Sequence, residues 1–140
     1  MGVDRERILF LIGEIEKSVS ILKEFALEEK EEQLIQDEKS MGSIKYYLII
    51  AIEACIDISN HIVAKEHLGV PESYSDCFKM LGNKGLISRE LSNKLIKMAK
   101  FRNLLVHLYW KIDEEKVYEV IQSELNDFDE FTRQIGRRYL

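Results

Sequence analysis

A single proline, Pro71, and seven glycines in 140 residues leave the chain little turn chemistry. That shortage constrains the fold more than any other feature. Sandwiches and barrels built from many short strands use Gly, Pro and Asn at every reversal. The long runs of Leu, Ile, Glu and Lys between the few breaks here suit helices instead. The expected class is all-α. With 46% hydrophobic and 32% charged residues, the chain reads as one soluble domain over residues 1–140, able to bury about two-thirds of its unfolded surface.

Apolar spacing places the helices. Ile8, Leu11, Ile12, Ile15, Val19, Leu22 and Phe25 recur at steps of three and four, predicting an amphipathic helix from about Asp4 into the charged run at 28–32. After a pause around 36–42, where Asp37 or Ser40 offers a cap, a second helix runs to about Glu66. Its residues are apolar almost all round, from Tyr47, Leu48, Ile49 and Ile50 to Ile62 and Val63. Such a helix must be covered on several sides by its own bundle, by a second subunit, or by both. Past Pro71, Ser73 caps a short helix that Gly82 to Gly85 ends; Ser88 caps a fourth and Asp113 a last helix through about Ile135. The architecture expected is an antiparallel up-and-down bundle of four long helices and one short one, forming a homodimer.

The longest apolar stretch, Tyr46 to Ile52, is far short of the roughly 20 residues a membrane helix needs, and no signal-peptide pattern opens the chain. Met-Gly begins a myristoylation pattern, but its sixth residue is Glu6 rather than Ser or Thr. Cys55 and Cys77 are too few and too embedded for a disulfide framework or a four-ligand zinc site, so the reading is a cytoplasmic protein with reduced thiols. No Gly-rich phosphate loop, Gly-x-Ser-x-Gly elbow or His-Glu-x-x-His pair appears. Glu53, Asp57 and His61 fall at i, i+4 and i+8, one polar stripe on an apolar helix with Asn60 beside it. They suit a polar seam or the wall of a cleft. A metal site is disfavoured, because no second His or Cys joins them at ligand spacing.

The net charge of −5 speaks against a protein coated in basic surface. It is an average over unlike parts. Between Lys79 and Lys111, eight basic residues stand against Glu90 alone, a net of +7, which leaves −12 for the remainder. Lysines on a helix ordinarily face water, but this segment also contains Phe101-Arg102-Asn103-Leu104-Leu105-Val106-His107-Leu108-Tyr109-Trp110. An imidazole that titrates near neutrality can take or give a proton, and a guanidinium can bind a phosphate bidentately and stabilise charge growing on it. Together they suffice for metal-free cleavage of RNA, in which the neighbouring 2′-hydroxyl attacks phosphorus. Lys94, Lys97 and Lys100 would then capture the phosphate backbone. At roughly 100° per residue, Arg102 and His107 lie about 140° apart on a straight helix. Either the Arg side chain wraps round, or the helix kinks, or two copies of the motif combine in one cleft; the apolar second helix favours the dimer.

The Arg, four residues, His, any residue, Tyr pattern over 102–109 resembles that of HepT-like toxins in the HEPN superfamily. Ala51 to Ile62 is similar to that family's second helix, and Leu68-Gly69-Val70-Pro71-Glu72-Ser73-Tyr74 to its connector, so the resemblance covers about 46–131. It implies a dimeric, metal-independent endoribonuclease toxin acting on tRNA or mRNA with no cofactor, and a cognate MntA-type nucleotidyltransferase antitoxin that silences it by AMP transfer to tyrosine. Carried over by position, Arg102 and His107 are the catalytic pair, Asn103 orients the phosphate or His107, and Tyr109 accepts AMP; the polar stripe of Glu53, Asp57 and His61 would support them as a wall of the cleft. The alternative from another class is a non-catalytic helical module that binds a nucleotidyltransferase or a nucleotide; an intact Arg102 and His107 disfavour it.

Overall fold

The computed structural model describes residues 2–28 and 30–140; the Met1 of the Met-Gly opening and Glu29 of the charged run lie outside them. Among the described residues there are seven helices and no strand: α1 (Arg5–Glu28), α2 (Glu31–Gln36), α3 (Glu38–Lys65), α4 (Tyr74–Asn83), α5 (Arg89–His107), α6 (Glu114–Ser123) and α7 (Asn126–Tyr139).

The helix starts are written locally. Asp37, Ser73, Ser88 and Asp113 each sit in extended backbone, and their side chains accept from the amides of Lys39, Asp76, Leu91 and Glu115. Each thereby satisfies one of the amides that a first turn leaves without a partner. The ends of α3 and α4 share a geometry. Past α4, Gly85 is left-handed at φ +70 and Leu86 N–H donates back to Leu81 O at 2.9 Å. Past α3, Leu68 N–H donates to Val63 O at 3.0 Å and His67 N–H to Ala64 O at 3.3 Å, and the left-handed position falls on His67 at φ +54. Both are six-to-one closures of the Schellman type, one with glycine and one without.

Contacts between elements fix the topology. His61, near the end of α3, meets Asp4 at the start of α1, so α1 and α3 run antiparallel. Arg102 meets Glu53 and Lys45 meets Tyr109, so α5 opposes α3. Ser88 with Gln134 and Lys94 with Asp127 oppose α7 to α5, and Lys23 with Asp129 returns α7 alongside α1 in the opposite sense. This is the expected up-and-down bundle, with two departures. The pause around 36–42 is preceded by the short α2, and the predicted last helix is broken at Glu124–Leu125 into α6, packed on α1 and α2, and α7, packed on α1 and α5.

One cluster of buried side chains runs through the bundle, with Phe78, Phe128 and Phe131 among its largest members and Phe78 edge-on to Phe131 at 6.2 Å. Helix α3 is its axis. By length and composition α3 is apolar enough to cross a membrane, yet it packs against α1, α2, α4, α5, α6 and α7. Its apolar circumference is therefore covered mainly from within the chain, and only Tyr46 among its large apolar side chains is exposed. A partner subunit is not required to explain it. Exposed apolar side chains lie on α1, at Leu9, Phe10 and Leu27, and in a run around the end of α5, at Leu104, Val106, Leu108 and Trp110. Cys55 and Cys77 are free and buried; burial raises both thiols, Cys77 to about 12, so neither is a ready nucleophile.

Candidate functional site

Helix α5 carries the candidate side chains Arg102, Asn103 and His107 in its last two turns. Arg102 is nearly buried, at 13% side-chain exposure, and is held from three directions. Its Nη2 and Nε donate to Glu53 Oε1 at 2.6 and 3.2 Å, its Nη1 donates to Asn103 Oδ1 at 3.2 Å, and its guanidinium lies 4.7 Å from the centre of the Tyr74 ring. A long side chain with many rotamers is thus fixed in one, so little entropy remains to be lost when it meets an anion. Both carboxylate contacts use the same oxygen, so the guanidinium fork is not fully engaged by Glu53.

His107 is exposed at the last residue of α5. Together with Asn103 it lines a cavity of about 790 Å³ whose other walls are the end of α3 and the connector 69–74. Gly69 shapes that connector: its φ is +123, and a Cβ there would lie 3.3 Å from the Met80 methyl. Tyr74, which carries Arg102 on its ring, stands on the wall beside Asn103 and His107.

Helix α5 stops at His107, although neither glycine nor proline follows it. A tertiary contact holds the turn beyond. Lys45 on α3, with its side chain 7% exposed, donates to Tyr109 O at 3.1 Å and to Glu114 Oε2 at 2.9 Å, and its ammonium lies 4.7 Å from the Tyr109 ring centre. Tyr109 therefore leaves the helical path. It lines a second cavity, of about 430 Å³, with Gly42, Lys45, Trp110 and Glu114, on the side facing α2 and the start of α3. A helix continued past His107 would set Tyr109 on a stripe with Arg102 and Trp110 on a stripe with His107; that projection ends where the helix does.

The supporting residues separate likewise. Glu53 reaches Arg102 and Asn60 reaches the cavity, whereas His61 turns toward α1 and its Nε2 accepts from Asp4 N–H at 2.9 Å. Burial first, then the charges of Arg7 and Lys65, lower the His61 pKa, in keeping with a neutral acceptor. Asp57 is exposed; desolvation and the neighbouring Glu53 raise its carboxyl. Among the described residues no cluster of three or more His, Cys, Asp or Glu could hold a metal ion. Of the three lysines, Lys100 lies seven residues before His107 and only about 20° from it around the helix. Lys97 is one turn earlier. Lys94 is about 140° away from His107 and spans Glu90 and Asp127 at 3.5 and 3.8 Å, so it is not brought to the cavity.

Residues 15–135 match the family described as Ribonuclease HepT-like. The chain belongs to the HepT-like ribonuclease family. It is 40% identical to the mRNA nuclease HepT of Shewanella oneidensis over 99 residues, 71% of this chain and 74% of that protein. It is 32% identical to the tRNA nuclease HepT of Aphanizomenon flos-aquae over 89 residues, 64% and 60% of the two. Its fold superposes with a TM-score of 0.88 on a solved tri-AMPylated Shewanella oneidensis HEPN toxin in complex with MNT antitoxin, at 32% identity, covering 96% of this chain and 100% of that one. In this HepT-like chain the sequence reading missed two residues that hold the motif. Lys45 carried a signal, being a lone lysine three residues before Leu48 and seven before Ile52 on the buried face of α3. Tyr74 carried none beyond its place in the connector, since only the tertiary fold lays its ring under Arg102.

Proposed function

We propose that this chain is the ribonuclease toxin of a two-protein toxin–antitoxin pair, cutting RNA without a metal ion and silenced by AMP transfer to Tyr109. The observation that carries the reading is Arg102, fixed by Glu53, Asn103 and Tyr74, on the same helix as an exposed His107 that lines one cavity with Asn103 and Tyr74. The RNA 2′-hydroxyl attacks the adjacent phosphorus and gives up its proton to an imidazole. The bond from phosphorus to the 5′-oxygen breaks and that oxygen takes a proton, leaving a 2′,3′-cyclic phosphate and a 5′-hydroxyl. Arg102 stabilises the charge on the phosphoryl oxygens as it grows, and Asn103 holds the guanidinium toward them. Lys97 and Lys100 contact flanking phosphates.

A single His107 would have to take the first proton and return it. Two copies facing each other divide the duties, and the apolar Leu104, Val106, Leu108 and Trp110 around the end of α5 offer the surface on which the copies meet. Within one chain, Tyr109 and His107 line different cavities. An adenylyl group on Tyr109 therefore opposes RNA across the composite cleft, by bulk and by the negative charge of its phosphodiester. The partner that adds it is a cognate nucleotidyltransferase of the MntA type.

The test is cleavage of tRNA and mRNA by purified chain free of any antitoxin. Equal background activity in wild type and His107→Ala would remove the catalytic assignment. Mixing wild type with an excess of His107→Ala is expected to lower activity beyond simple dilution if the cleft is composite, because each mixed dimer keeps a single imidazole. Co-expression with the nucleotidyltransferase is expected to add AMP mass to the Tyr109 peptide, and modification elsewhere with Tyr109 untouched would overturn that role.

A further inference from the structure

The cavity of about 790 Å³ beside His107 is larger than proton transfer at a phosphate requires. It falls within the range of roughly 300–1,000 Å³ typical of small-molecule sites. Val63 and Ala64 on α3 and Val70 and Pro71 on the connector make its apolar walls, and Tyr74 adds an aromatic one. No lysine or arginine lines it, and the acid Glu72 does. A phosphate would be repelled there. The cations that suit phosphates, Arg102, Lys97 and Lys100, lie outside that lining, on α5. The site thus divides into a cationic track and an adjoining slot that no lysine or arginine lines.

We propose that this slot binds one unpaired nucleobase of the RNA substrate, that of a nucleotide flanking the scissile phosphate. Unpaired bases in RNA are held by stacking on aromatic rings or guanidinium planes and read by hydrogen bonds along their edges. The stacked Tyr74–Arg102 pair and the connector provide the faces, and Asn60, with one carbonyl acceptor and two amide donors, provides the edge. Glu72, whose carboxylate accepts hydrogen bonds, favours bases that carry an exocyclic amine over uracil. The same Tyr74 that orients Arg102 toward the phosphate would sense whether a base is seated, so that binding in the slot and alignment of the guanidinium occur together. This inference rests on the ribonuclease reading above and adds to it where the sequence preference of cleavage comes from.

The experiment compares wild type with Asn60→Leu, Val70→Asp, Tyr74→Phe and Tyr74→Ala on RNA oligonucleotides varied at the positions flanking the cut, with sequencing of the product ends. Val70 is 86% exposed, so its change leaves the fold intact. The expected wild type prefers an amine-bearing base at one flanking position. Val70→Asp and Asn60→Leu flatten that preference and raise KM about tenfold, with a smaller effect on kcat. Tyr74→Phe keeps the preference, and Tyr74→Ala loses it together with part of kcat. Active wild type whose cleavage profile survives in all four variants would overturn the nucleobase slot and leave the ribonuclease reading standing. Inactive wild type would overturn both. Sedimentation showing that Val70→Asp or Asn60→Leu breaks a dimer would assign the slot to the second copy instead of a base.

Discussion

Replacing Glu53 by alanine separates positioning from simple charge attraction at Arg102. Glu53 accepts two hydrogen bonds from the guanidinium, at 2.6 and 3.2 Å, while its own side chain is 39% exposed against 13% for Arg102. A hydrogen bond to a charged group contributes about 1.5–3 kcal/mol. Solvent screening of a carboxylate this exposed argues for the lower end, about 1.5 kcal/mol. Asn103 and the Tyr74 ring still hold Arg102 after the change, so the loss is of alignment and not of the residue. If that alignment is used in the transition state, kcat falls about tenfold, since about 1.4 kcal/mol is one decade of rate. KM is expected to stay level or fall, because removing an acid next to Arg102 strengthens attraction for phosphate. Glu53→Gln keeps the acceptor and is expected to lose only about threefold. The assay is single-turnover cleavage of a labelled RNA at several salt concentrations, alongside thermal melts of each variant. Once Arg102→Ala has been introduced, Glu53→Ala should add nothing. A rise in kcat for Glu53→Ala, or an additive double mutant, would refute the reasoning and make Glu53 a competing counter-ion.

Three further outcomes follow from the packing. A Cβ at Gly82 would stand 2.5 Å from Ser92 Oγ and 2.6 Å from Ser92 Cβ, so Gly82→Ala is expected to lower stability in chemical denaturation by about 2 kcal/mol, with partial recovery in Gly82→Ala/Ser92→Gly. His67 holds a left-handed φ of +54 at the end of α3; His67→Gly is expected to raise stability by about 0.5–1 kcal/mol, and a loss would show that the imidazole makes a stabilising contact. His61 must be neutral to accept from Asp4 N–H, and its folded pKa lies below the ordinary 6.5. Its contribution is thus fully present above about pH 6.5 and lost as pH falls through the lower folded value. Wild type should therefore lose more melting temperature than His61→Gln between about pH 7 and about pH 5, and a constant gap between the two would refute the tie.

Much of the fold was legible because its instructions are local. Ser73, Ser88 and Asp113 cap the helices at which they were placed, and of the two candidates Asp37 and Ser40 it is Asp37 that caps α3, since a cap is a bond between a side chain and an amide two or three residues on. The break at Glu124–Leu125 was not legible. Neither glycine nor proline marks it, and the apolar spacing from Val117 to Ile135 continues through it. The apolar circumference of α3 was read correctly, but what covers it was a question of topology: six other helices of the chain do most of the work.

The sequence by itself determined the helical class, most helix boundaries and the placement of Arg102 and His107 on one helix within a basic segment, because periodicity, capping and charge are properties of neighbours along the chain. The tertiary structure decided the rest of the site. Lys45, 64 residues from Tyr109, holds the turn that follows α5 and sends Tyr109 to a different cavity from His107. Glu53 and Tyr74, from two other elements, choose the rotamer of Arg102. These contacts depend on which surfaces the bundle brings together, and no spacing within α5 encodes them.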